Sequence, residues 1–133
     1  MRRRAAIAFL FCAPLFACEE ELGPVDPVWG KQPCAHCAML VSEPPHAAQA
    51  ITTGGARHYF DDIGCMALYA QGEPLQKAWA REAASGSWLD VERASFRAGA
   101  KTPMDFGFEV VAAGGELDWS AVRGAVRERM KKR

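Results

Sequence analysis

The residues best suited to chemistry in this chain lie in Cys34-Ala-His-Cys-Ala-Met39. Two thiols and a thioether stand within six residues, with the imidazole of His36 between the thiols. Soft sulfur donors select Cu(I), Zn(II) or iron–sulfur clusters over hard cations. A Cys-x-x-Cys loop alone is equally a metal clip, a disulfide or a redox pair. Met39 favours copper, because a thioether is a poor zinc ligand and plays no part in thiol–disulfide exchange. The alternative for Met39 is an ordinary core methionine leading into a strand. A third thiol, Cys65, follows Asp61-Asp62-Ile63-Gly64. It falls in the first turn of an expected helix, where the N-terminal dipole favours thiolate. Asp61 and Asp62 are expected to cap that helix rather than to work as an acid–base pair.

The chain has 133 residues, with 16 basic side chains, 16 acidic ones and five cysteines. Met1-Arg-Arg-Arg4 is a positive n-region, Ala5 to Phe11 a short apolar h-region, and Leu15-Phe16-Ala17-Cys18 closes the segment. Such a run is a secretion signal, too short to span a bilayer. Its end resembles the bacterial lipoprotein cleavage box, which implies removal of residues 1–17 and acylation of Cys18. The alternative is ordinary signal-peptidase cleavage that leaves Cys18 a free thiol. More than one acyl chain anchors a protein stably without a spanning helix. Glu19 follows Cys18, where Asp would suggest inner-membrane retention, so the expected place is the outer membrane, facing the periplasm.

Removal of residues 1–17 leaves 116 residues, enough for one modest domain. It takes away three arginines and no acid, so 13 basic residues remain against 16 acidic ones. A slightly acidic body argues against nucleic acid as a partner. The basic run Arg127 to Arg133, interrupted by Glu128 and Met130, reads as a solvated helix end. Cys12 leaves with the signal and Cys18 is acylated, so Cys34, Cys37 and Cys65 remain. An odd number of thiols in an oxidising compartment means either an unpaired thiol or a metal that protects them.

The elements that position these residues follow in order. Residues 18–32 read as a flexible tether, rich in acid, proline and glycine and without an apolar period. Trp29 is the exception and is expected to pack on the domain edge. Residues 33–133 form the domain. Glu43-Pro44-Pro45 is a break. Ala48 to Thr53 and Ala56 to Phe60 flank Gly54-Gly55 and predict a hairpin. Ile63, Met66, Ala67 and Ala70 share a helical face, and Gly72 ends that helix. Lys77 to Glu82 leans to strand. Trp88 to Val91, Ala94 to Ala98 and Phe106 to Val111 read as strands. Asp118 caps a last helix in which Val122, Val126 and Met130 share a face. The expected class is α+β, built as two small strand–strand–helix halves, one before Gly72 and one after Trp88.

Taken together and in order, these landmarks resemble the NosL family, the copper-binding lipoproteins associated with nitrous oxide reductase. The resemblance is carried by Cys18, by Cys-x-x-Cys-x-Met at 34–39, and by Ala48-Gln49 before the hairpin. It continues in Phe60-Asp61-Asp62-Ile63-Gly64-Cys65-Met66, Trp88-Leu89-Asp90 and Thr102-Pro103-Met104-x-Phe106-Gly107-Phe108. It covers most of residues 33–113. Asp105 stands where the family usually has glycine, and the chain is short for the family.

The resemblance implies a periplasm-facing protein, not an enzyme, that binds Cu(I) and passes it on. The recipient would be a copper-accepting apo-enzyme or a copper transport and assembly protein. Cys34, Cys37 and Met39 match the family's metal motif, and Met104, Cys65 and Met66 are the expected partners across the fold. A copper-linked homodimer is compatible with this set. His36 is either a pH-dependent ligand or points outward, and His46 and His58 are expected at the surface.

Two other readings compete. A thiol–disulfide oxidoreductase would use Cys34 and Cys37, but Glu43-Pro44-Pro45 comes too soon for the helix such a site needs. A structural zinc clip would use Cys34, Cys37, Cys65 and a histidine, but leaves the methionines unexplained. Nothing resembles a Ser/His/Asp triad, a phosphate loop or a paired-carboxylate cleft.

Overall fold

In the computed structural model, which describes residues 22–133, alternation in β1 (Ala48–Thr52) lays out the architecture. Its alanines, Ala48 and Ala50, lie beside Ala80 and Ala78 of β3 (Leu75–Arg81) and opposite Phe60 and His58 of β2 (Arg57–Phe60). Small side chains on that face let α1 (Ile63–Gly72) approach closely. Tyr69 of α1 meets both Phe60 and His58, with ring centroids 5.3 and 5.2 Å away. β4 (Trp88–Asp90) pairs antiparallel with β3, so the first sheet runs β2-β1-β3-β4. β5 (Ser95–Ala98) and β6 (Phe108–Val111) form a second, two-stranded antiparallel sheet, with Phe96 opposite Val110. α2 (Trp119–Lys131) closes the chain and packs against α1 and β5. The class is α+β, and the order strand–strand–helix occurs twice, as β1-β2-α1 and as β5-β6-α2.

Several expected boundaries hold for the expected reasons. Gly55, at φ 88°, supplies the left-handed residue of the β1–β2 turn. Asp62 caps α1, accepting from the Gly64 amide at 2.9 Å, and Asp118 caps α2, accepting from Ala121 at 2.8 Å. Val122 and Val126 are fully buried.

Three expectations are corrected. Met130 does not share the fate of Val122 and Val126. It is 42% exposed, because the last turn of α2 runs past the core. The strand at Trp88 does not join the second half. Arg81 lies opposite Trp88 and Trp79 opposite Asp90, which places it in the first sheet.

The third correction concerns the tether. The alternate face of β1 carries Gln49, flanked by Tyr59 and Trp79. Residues 23–29 lie over it instead of hanging free. Val25 donates its amide to Gln49 Oε1 at 3.0 Å, and the Tyr59 hydroxyl donates to the Val25 carbonyl at 3.0 Å. The Arg57 guanidinium reaches the Gly23 carbonyl at 2.7 Å, and the Trp88 indole donates to Asp26 at 2.7 Å. Trp29 stacks on Trp88 with Arg81 above both rings, as expected for a residue packed on the domain edge. The signal segment 1–17, Cys18 and the first residues of the expected tether lie outside the described residues. Among the described residues, no helix is long and apolar enough to cross a membrane.

Candidate metal centre

The Cys-x-x-Cys segment folds as a knuckle. Pro33 and Leu40 bridge as an antiparallel pair, the Cys34 amide donates to the Met39 carbonyl at 2.7 Å, and the Ala38 amide donates to the Cys34 carbonyl at 3.0 Å. Closing so short a loop puts Ala38 at φ 64°, in the left-handed region. The Ala35 amide donates to the Tyr59 carbonyl at 2.9 Å, which fastens the knuckle to β2. At the end of β2 the chain turns through Asp61 and Asp62 into α1, and Cys65 stands in the first turn of that helix. The knuckle, the β2–α1 junction and the helix start therefore meet at one point.

Four ligand atoms converge there. The sulfurs of Cys34, Cys37 and Cys65 and a carboxylate oxygen of Asp61 all lie within 4.8 Å of one another. Cys34 and Cys65 are buried and Cys37 is half-buried; all three are free thiols. Sulfurs bound to one ion at about 2.3 Å stand about 4 Å apart, so the cluster needs only a small contraction to close on a metal.

The electrostatics of the metal-free cluster are uneven. The Cys65 thiol donates to Cys34, and the backbone amides of Cys37, Asp61 and His36 do the same, which lowers Cys34 from 9.0 to about 6 against the opposing effect of burial. Burial, with Cys34 and Asp61 alongside, raises Cys37 to about 11. The bond that Cys65 gives to Cys34, with burial added, holds the Cys65 proton far above the usual thiol range. The expected thiolate at Cys65 is corrected: at the helix start, the hydrogen bond and desolvation outweigh the dipole. Of the three thiols, Cys34 is the one whose surroundings favour ionisation, while those of Cys37 and Cys65 oppose it.

The two aspartates also divide their roles. Asp62 is fully engaged, because its other oxygen accepts the Met104 amide at 3.0 Å and ties the 99–107 loop to α1. Asp61 caps nothing. It is 2% exposed, its Oδ1 accepts the Cys37 thiol at 3.3 Å, and its Oδ2 has no hydrogen-bond partner. As a cluster member Asp61 was not foreseen. The available signal was the doubled acid in an extended segment before a cysteine, where successive side chains point opposite ways and only one can reach the helix amides.

The remaining expected residues are more dispersed. Met39 is 53% exposed beside the knuckle, Met66 is fully buried in the core, and Met104 is half-buried in the loop that Asp62 holds. Asp105 takes φ 62°, the left-handed conformation that glycine adopts freely and aspartate tolerates, so the loop turns as a glycine there would let it. His36 is exposed and outside the four-ligand group. His58 is half-buried against Tyr69, and His46 is half-buried with its Nδ1 enclosed and unpaired, so neither is the open surface residue expected.

No family model, curated protein or solved structure matches this chain. Its own geometry therefore carries the chemistry: three thiols and one carboxylate drawn from two segments form a cluster that could bind a metal ion.

Proposed function

We propose that this protein is a carrier of Cu(I), anchored to a bacterial membrane through Cys18 and facing the periplasm. The cargo ion is held by Cys34, Cys37 and Cys65, then handed to a copper-site assembly, that of nitrous oxide reductase being the one the sequence resemblance implies. The observation that carries this reading is the convergence of Cys65 on the Cys-x-x-Cys knuckle. Three thiols are a soft donor set that suits Cu(I). Carriage also needs a way out. Cys37 is half-buried and Met39 exposed, so the cluster has one accessible side, where an incoming sulfur can bind before a resident one leaves. The burial of Cys34 and Cys65 speaks against disulfide exchange with a protein substrate, which requires an accessible attacking thiolate.

Anaerobic competition against a Cu(I) chelator tests the proposal. The reduced domain should take about one Cu(I) per chain or per dimer. Cys37→Ser and Cys65→Ser should each weaken binding about tenfold or more, a difference of about 1.4 kcal/mol or more. Met39→Leu keeps volume and costs under about 1.5 kcal/mol of fold stability, so any loss of affinity it causes reports on the thioether itself. Wild-type affinity in both cysteine variants, with unchanged melts of the metal-free proteins, would remove copper from this cluster.

A further inference from the structure

The least satisfied group at the cluster is Asp61. A buried carboxylate oxygen without a partner is costly, and Asp61 Oδ2 is such an atom in a side chain only 2% exposed. Its neighbour Asp62 has both oxygens bonded, so the shortfall is particular to Asp61. The single bond Asp61 does accept comes from the Cys37 thiol. A sulfur that binds a metal has no proton left to donate, so loading the cluster removes that bond and leaves an anionic carboxylate beside anionic sulfurs. Two outcomes are open to it. It can join the coordination sphere, or it can stay outside and repel the loaded cluster.

We infer that Asp61 is a specificity-determining residue that gives the cluster two metal modes. With a divalent borderline ion such as Zn(II), its oxygen becomes the fourth ligand and completes a tetrahedral three-sulfur, one-oxygen site. That donor set and number suit Zn(II), which accepts carboxylate alongside thiolate. Cu(I) is served by soft sulfur alone. Asp61 stays outside that mode, and its charge loosens the cluster's hold on Cu(I). This inference rests on the metal reading above and adds to it a resident divalent ion and a built-in weakening of the copper state, both of which assist exchange.

The experiment compares wild type with Asp61→Asn, which keeps shape and removes charge, and with Asp61→Ser as a second variant should the first lose its fold. Zn(II) and Cu(I) affinities are measured by chelator competition on the reduced protein, and Co(II) serves as the spectroscopic probe of coordination. Zn(II) binding should weaken about tenfold or more in the variants, while Cu(I) binding tightens. Co(II) in the wild type should show the intense d–d bands of tetrahedral coordination with sulfur charge transfer, and the variants should lose intensity in the d–d region. Unchanged Zn(II) affinity in a folded variant would overturn the inference, and so would equal weakening of both ions. Failure of the wild type to bind Cu(I) while its Zn(II) response to Asp61 substitution persists would sink the copper proposal and the second mode with it, and leave Asp61 standing as the fourth Zn(II) ligand alone.

Discussion

At the scale of single residues, the cluster is governed by how three thiols share protons. Cys34 falls to about 6 while Cys37 rises to about 11 and Cys65 rises further. The sign of the stability effect differs between them. The lowered group stabilises the fold fully above the ordinary thiol value of 9.0, and that contribution is lost as pH falls through about 6. The raised groups act oppositely: above 9.0 their unfolded thiols ionise while the folded ones keep their protons, so stability falls as pH rises. On the thiol contribution, the melting temperature of the metal-free, reduced domain should therefore rise from pH 6 towards 9 and decline beyond. Thiolate absorbance near about 240 nm should show one cysteine ionising ahead of the rest, and Cys34→Ser should abolish that early step. Three thiols titrating together at the ordinary value would contradict the hydrogen-bonded arrangement. Ala38 is the other decisive residue. An L-residue in the left-handed region costs about 1–2 kcal/mol, partly offset in glycine by its greater freedom when unfolded. Ala38→Gly should raise stability by up to about 1 kcal/mol in a denaturant titration, with metal binding intact. A loss of stability would mean that the knuckle does not hold Ala38 at φ 64°.

At the scale of elements, the start of α1 is the junction on which the site depends. Asp62 holds the helix amide on one side and the 99–107 loop on the other. Gly64 allows the closest approach, since a Cβ there would lie 2.0 Å from the Phe106 ring. Phe106 cannot retreat freely, because its carbonyl is held by Arg129 of α2 at 2.6 Å. Gly64→Ala should therefore destabilise the domain by about 3 kcal/mol, the upper part of the usual overpacking range. Phe106→Ala in the same chain should recover part of the loss, giving a clearly non-additive double-mutant cycle. Additive losses would show that the two positions do not meet. Because Cys65 is one residue beyond Gly64, the single variant should also weaken metal binding, whereas a surface substitution of equal cost elsewhere should not.

At the scale of the whole molecule, the segment before the knuckle is a structural layer. Its contacts to Gln49, Arg57, Tyr59 and Trp88 cover the sheet face opposite α1, which is why β1 is buried along its entire length. Deleting residues 18–29 from the soluble domain should lower the melting temperature by at least about 4 °C, the shift that about 1 kcal/mol produces in a domain of this size. A free tether would leave it unchanged.

Much of the architecture was legible locally. Gly54-Gly55 between two strand-forming runs, Asp62 and Asp118 before helical periodicities, and Gly72 at a helix end each act through the backbone within a few residues. The three thiols were legible as a set because their number is odd once Cys12 and Cys18 are set aside. What tertiary structure alone decided depends on partners distant in the chain. Asp61 enters the cluster because β2 directs it away from the helix cap and towards a knuckle 24 positions earlier. Cys65 keeps its proton because Cys34 lies within hydrogen-bonding reach, a contact that no helix-end rule contains. Residues 23–29 are ordered by a sheet face that does not exist until β1, β2 and β3 have paired. Periodicity and capping are short-range and survive as patterns in the sequence. Coordination, desolvation and the covering of a sheet face are set by neighbours that only the folded chain brings together.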